Sequence, residues 1–168
     1  MAVDLKAPLE LKCKLRERPN SIGRRFILPS GKAVMGYNLM RVTTTGSTPT
    51  LLVDIDTDLP YVVMKENELY TVQYQMLATQ VGGSSGSVGD SKVIHGEAAA
   101  KRLVLPNTAA LVGAVTAVVK NDTNASAWTG VLTADTTNGG LLFTATGAAN
   151  KTISWELALY LEIGLTIG

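Results

Sequence analysis

From Ile153 to Ile163 the chain alternates with period two. Ile153, Trp155, Leu157, Leu159, Leu161 and Ile163 take one parity, and Ser154, Glu156, Tyr160 and Glu162 take the other. A helix, at about 3.6 residues per turn, would scatter these apolar residues around its circumference, whereas an extended strand gathers them on one face. The segment is thereby committed to a sheet. A strand this long and apolar predicts a place in the middle of a sandwich or along a subunit interface. Upstream, Trp128 to Thr133 and Gly140 to Thr146 flank Asp135-Thr136-Thr137-Asn138-Gly139, where Asn138-Gly139 predicts a type I′ hairpin turn. The expected mate of the closing strand is Leu141 to Thr146.

The same period opens the chain. Leu9, Leu11, Cys13 and Leu15 alternate with Glu10, Lys12, Lys14 and Arg16, which makes Cys13 a small core residue. Pro19-Asn20-Ser21 and Pro29-Ser30-Gly31-Lys32 read as turns. Further strands are predicted over Arg24 to Leu28, Ala33 to Val42, Thr50 to Ile55, Tyr61 to Lys65, Leu69 to Ala78 and Val93 to Glu97. In Leu69 to Ala78, Tyr70, Val72, Tyr74 and Met76 oppose Thr71, Gln73 and Gln75. Ala98 to Leu103 has the propensity for a turn of helix. Ala110 to Lys120 suits either helix or strand, and Val115, Val118 and Val119 with Gly113 favour strand.

Val81 to Ser91 is a Gly/Ser run, which reads as a flexible linker or the tip of a long hairpin. Taken as a boundary, it divides the chain into an N-terminal β domain over 1–80, a linker over 81–91 and a C-terminal β-sandwich over 92–168. The expected fold class is all-β, with a small antiparallel barrel or sandwich preceding the second sandwich.

Charged residues make up 17% of the chain against 46% hydrophobic, and mean hydropathy is +0.18. So little charge suits surfaces that meet other protein. Fifteen basic and fourteen acidic residues leave a net charge of +1, with no concentration of positive charge for nucleic acid or an anionic membrane. Arg16, Arg18, Arg24 and Arg25 form a local basic spot, read either as a solvated hairpin end or as a docking point for an acidic protein surface. Met1 to Lys6 lacks the basic-then-apolar pattern of a secretory signal, and no unbroken apolar run is long enough for a membrane helix. Synthesis in a reducing cytoplasm is expected. Asn121-Asp122-Thr123, Asn124-Ala125-Ser126 and Asn150-Lys151-Thr152 match the glycosylation triplet by chance in an Asn- and Thr-rich chain.

The residues for chemistry are sparse. One His and one Cys, far apart, cannot build a Cys/His zinc site within the chain, and no G-x-S-x-G turn accompanies His95. Asp54-Ile55-Asp56-Thr57-Asp58 begins like a calcium loop, but Leu59 stands where the sixth-position Gly belongs and Lys65 where the bidentate Glu belongs. An acidic turn is the expectation. Gly89-Asp90-Ser91-Lys92 departs from the phosphate-loop order. Glu66, Glu68, Glu156 and Glu162 are read as exposed strand charges rather than paired catalytic carboxylates. The expectation is a protein that is not an enzyme and carries no cofactor and no metal. The interface candidates are Arg16, Arg18, Arg24, Arg25, Trp128, Trp155 and Tyr160. The two tryptophans suit core or interface packing better than a sugar-stacking platform.

The closing segment, Gly139-Gly140-Leu141-Leu142-Phe143-Thr144-Ala145-Thr146-Gly147 through Ile153 to Ile163, resembles the C-terminal β-sandwich of bacteriophage virion proteins of the head-fibre and capsid-decoration type. Leu105-Pro106-Asn107-Thr108 and Trp128-Thr129-Gly130-Val131-Leu132 share that style. The resemblance implies a homo-oligomer, most often a trimer, in the virion, attached to the major capsid protein or another virion protein. It carries no catalytic residues over. A tail or fibre component that binds a host-surface carbohydrate through Trp128 or Tyr160 is the alternative.

Overall fold

The structure is a computed structural model that describes residues 25–27, 33–104 and 108–166. They form β1 (Arg25–Ile27), β2 (Ala33–Thr44), β3 (Thr50–Leu51), β4 (Val53–Asp54), β5 (Val62–Val63), β6 (Glu68–Gly83), β7 (Ser91–Arg102), β8 (Ala109–Leu111), β9 (Thr116–Asn121), β10 (Thr129–Asp135), β11 (Gly140–Thr146) and β12 (Lys151–Thr166). A short 3-10 turn, Thr123–Ala125, precedes β10. The fold is all-β, as the alternating segments require. The opening strand expected over Leu9 to Arg16, with Cys13, lies outside the described residues.

β12 occupies the middle of an eight-stranded sheet of order β1-β2-β12-β6-β7-β8, with β4 added at β2 and β9 at β7. Its antiparallel neighbours run the length of the strand, from Ile153↔Thr44 to Leu161↔Gly36 on one side and from Lys151↔Gly83 to Thr166↔Glu68 on the other. The central position follows the sequence reading, but the mate does not. Leu141 to Thr146 belongs to β11, in a separate four-stranded sheet with β10, β3 and β5. Alternation fixes which face of a strand is apolar and leaves its neighbour open. β11 therefore lies in the sheet across the core from β12, not beside it in the same sheet.

The two sheets bury one apolar cluster between them. Tyr70, Val72, Tyr74, Met76, Trp155, Leu157 and Leu159 come from the large sheet, and Leu132, Leu141, Phe143 and Ala145 from the small one. Tyr74 and Phe143 meet edge to face with ring centroids 5.2 Å apart.

The expected division into 1–80 and 92–168 is not what strand pairing shows. β6 pairs with β7 from Glu68↔Arg102 to Thr79↔Ser91, so the Gly/Ser run is the tip of a long hairpin. β12, from the far end of the chain, lies between β2 and β6. Strands from before and after the run thus share one sheet and one core. Gly83 (φ +109°) turns the chain out of β6 where an added Cβ would strike the Asn150 carbonyl oxygen.

Two local expectations also change. Ala98 to Leu103 extends β7 as strand to Arg102, because the ladder with β6 supplies hydrogen bonds that override a helix propensity worth only a few tenths of a kcal/mol per residue (about 0–0.7). The β10–β11 hairpin forms, but not through a type I′ turn. Gly139 has φ +66° while Asn138 is not among the residues of positive φ. Asp135 closes a longer loop instead, its Oδ1 accepting from the amides of Thr137 (2.9 Å) and Asn138 (3.0 Å).

Candidate functional site on the outer sheet face

Because residues opposite one another in an antiparallel pair share a face, the register lays out the outer surface of the large sheet row by row. One row reads Tyr160, Gln73, Glu97, Thr116 across β12, β6, β7 and β9. The next reads Ala158, Gln75, His95, Val118 across the same strands. A third carries Glu156 and Leu77, with Arg41 of β2 facing Glu156. Their parity is opposite to that of the buried Val72, Tyr74, Met76, Leu157 and Leu159. A groove of about 460 Å³ lies here, walled by Tyr160, Gln73, Gln75, His95, Glu97 and Val118. Among the described residues, no Lys or Arg lines it.

The sequence-expected residues separate into three groups. Arg16, Arg18 and Arg24 lie outside the described residues. Arg25 sits in β1 opposite Gly36, and nothing is described of its side chain. Trp128 and Trp155 are fully buried, at 0% exposure each, and so are not available as interface or sugar-stacking residues on the surface of this chain. They pack together with ring centroids 6.3 Å apart. The Trp155 indole donates to the Thr44 hydroxyl at 3.0 Å. Tyr160, at 41% exposed, is the expected residue that does reach the outer face.

Trp128 is held inside by two lysines that point inward. The Lys92 ammonium donates to the carbonyls of Ser126 (2.9 Å), Ala125 (3.3 Å) and Trp128, and burial lowers its pKa. The Lys151 ammonium donates to the Asn124 carbonyl at 2.8 Å and stands 5.4 Å from the centre of the Trp128 ring. These four carbonyls belong to the 3-10 turn and the residues after it, so the two cations fix the loop and seat the indole beneath it.

Of the acidic residues singled out in the sequence, Asp54, Glu66 and Glu68 are spent on structure, Glu156 is exposed, and the Glu162 side chain lies outside the described residues. Asp54 Oδ1 accepts from the amides of Asp56 (3.0 Å) and Thr57 (2.9 Å), and its Oδ2 from the Asn38 amide nitrogen (2.7 Å). Asp58 follows at φ +56°, completing an acidic turn in which Asp54 is a backbone acceptor. Glu68 is buried rather than an exposed strand charge. It accepts from the Tyr70 hydroxyl and from Lys65 Nζ at 2.9 Å. Glu66 lies 3.4 Å from Arg102. Among the described residues, no group of three or more His, Cys, Asp or Glu converges as metal ligands would.

Sequence reasoning missed Gln73, Gln75, Glu97 and Val118 as parts of one site. The alternation of Leu69 to Ala78 already put Gln73 and Gln75 on the outer face. What it could not supply was β7 alongside β6, and β9 beyond it.

The chain matches no protein-family model and no curated protein. Among solved structures it is similar to the crystal structure of the Acinetobacter baumannii phage AM24 tailspike protein, at 11% identity and a TM-score of 0.43, over 80% of this chain and 27% of that one. The chain therefore spans about a quarter of that tailspike's length.

Proposed function

We propose that the chain is a structural component of a bacteriophage particle, of the capsid-decoration (cement) or head-fibre type, acting through surface contact and not through catalysis. In this reading it is made in the host cytoplasm, docks on the major capsid protein or another virion protein, and assembles as a homo-oligomer, in the first instance a trimer. The observation that carries the reading is the outer face of the large sheet. Leu39 (37% exposed), Leu77 (42%), Val118 (62%) and Tyr160 (41%) stand on it across β2, β6, β9 and β12. They are set among the exposed, uncharged side chains of Thr43, Gln73, Gln75 and Thr79. Arg41, Glu97, Lys120 and Glu156 are exposed charges on this face. The apolar and uncharged residues between them lose little on desolvation when another protein covers them. A docking interface of ordinary size, about 1,600 Å² in total, could be drawn from it.

Self-association is supported by β9. It pairs with β7 on one side, and among the described residues no strand pairs with its other side. Every residue from Thr116 to Asn121 is exposed, which leaves an edge open to another strand.

The test is co-sedimentation of the purified chain with particles of the phage that encodes it, beside the heat stability of capsids stripped of it. Binding that Leu77→Asp and Leu39→Asp abolish, with capsids that weaken on stripping, is the expected result. Particles that neither bind the chain nor change stability would overturn the reading.

A second reading, a tail or fibre component that binds a host-surface carbohydrate, is favoured by the groove beside Tyr160, where an aromatic ring and amide side chains share one opening on the sheet.

A further inference from the structure

We infer that the groove walled by Tyr160, Gln73, Gln75, Glu97 and His95 is a binding site for a neutral oligosaccharide. The inference rests on the host-binding reading above and gives that reading its residues and its ligand class. A sugar ring presents two chemistries at once. Its faces carry C–H groups that suit an aromatic plate, and its rim carries hydroxyls that each donate and accept. The groove offers both. Tyr160, 41% exposed, supplies an aromatic ring at the groove's edge. Gln73 lies directly opposite Tyr160 in the β6–β12 register, and Gln75 one position along on the same face, so two amides stand beside the ring. Each amide carries a donor and an acceptor end, the pairing that neighbouring hydroxyls require.

Glu97 lies opposite Gln73, and His95 opposite Gln75. The far wall thus adds a carboxylate and an imidazole that can hydrogen-bond to hydroxyls. Among the described residues no Lys or Arg stands in the lining, which favours one class of sugar over another. A sialylated, phosphorylated or uronic-acid glycan would place its negative charge near Glu97, where no described Lys or Arg stands to meet it. A neutral glycan meets no such penalty. The volume, about 460 Å³, lies within the roughly 300–1,000 Å³ of small-molecule sites. All of these groups stand on long paired strands and not on loops, so their spacing is fixed before a ligand arrives.

The experiment uses the full chain and a glycan array of neutral hexose and N-acetylhexosamine oligomers alongside sialylated and uronic-acid glycans. Hits are then titrated by ligand-observed NMR. Saturable binding of a neutral oligomer is expected, weakened at least tenfold by Tyr160→Ala and by Gln75→Ala. Val131→Ala, exposed on the small sheet and outside the groove, should leave it unchanged. Tyr160→Phe, which keeps the plate and the fold, should retain most of the affinity, and circular dichroism confirms that each variant is folded. Preference for anionic glycans, binding indifferent to Tyr160 and Gln75, or no neutral glycan bound would each overturn the inference. Co-sedimentation of the same variants with phage particles separates the two claims: particle binding without sugar binding removes the groove's ligand and leaves the structural reading standing.

Discussion

At the scale of single residues, Asp135 shows how one carboxylate replaces a turn that the sequence advertised. Its Oδ1 takes the amides of Thr137 and Asn138, its Oδ2 takes the Asn138 side chain at 2.8 Å, and its own carbonyl takes the Gly139 amide at 3.1 Å. Burial works to raise its pKa, but the hydrogen bonds from Asn138 and Thr137 prevail, and the carboxyl titrates below its ordinary 3.8. A folded pKa below the unfolded one gives stability that is fully present above the unfolded value and is lost as pH falls through the folded one. Asp135→Ala should therefore cost about 2 kcal/mol at neutral pH. Urea midpoints of the two proteins should converge in acid below 3.8, and a gap independent of pH would refute the assignment. Gly96 makes a second residue-scale case. A Cβ there would strike Cζ, Cε1 and the hydroxyl oxygen of Tyr74, so the phenol crosses the strand at this glycine. Gly96→Ala should destabilise by about 1–3 kcal/mol through overpacking. In a double-mutant cycle, Tyr74→Leu should remove most of that cost, and strict additivity would show that the ring does not rest there.

Among elements, β12 was the most legible in the sequence, and it also shows where legibility stops. Its inward parity is buried from Ile153 through Leu161, while Glu156 and Tyr160 are exposed, as the alternation requires. The strand's neighbours were not readable, because a two-residue period says nothing about which other strand supplies the hydrogen bonds. The same gap hid the groove. Tyr160, Gln73, Glu97 and Thr116 are far apart in the chain and become a row only once β12, β6, β7 and β9 are laid side by side. Trp128 reads as core or interface packing, and its burial beside Trp155 selects the core. What no local pattern connects to it is the pair of lysines, Lys92 and Lys151, which bind the loop around it. The face assignment of β12 is open to direct measurement. Leu157→Ala, at 0% exposure in the core between the sheets, should cost about 2–5 kcal/mol in denaturant unfolding. Tyr160→Ala should cost well under that, about 1 kcal/mol or less, because its ring faces outward. Comparable costs for the two would mean that both sides of the strand are covered.

For the whole molecule, the order of strands sets how the chain must unfold. The hairpin of β6 and β7 joins the two halves of the sequence, and β12 is inserted between β2 and β6, so each half lacks a partner until the other is present. The small sheet is shared in the same way, with β3 and β5 from before the Gly/Ser run pairing with β11 from after it. A chain built as two beads on a Gly/Ser string would melt in two steps and survive division at the string. This one should do neither. Calorimetry is expected to show a single transition with equal calorimetric and van't Hoff enthalpies. Fragments 1–86 and 87–168, produced separately, should each lack sheet structure by circular dichroism. Mixed, they should recover it, because the break falls at the hairpin tip and leaves every β6–β7 pair intact. The N-terminal fragment alone would expose the apolar edge of β2 and β6 that β12 normally fills, so it is the one expected to aggregate. Two resolved transitions, or a C-terminal fragment that folds by itself, would show that the sheets separate along the chain as the composition of residues 81–91 suggests.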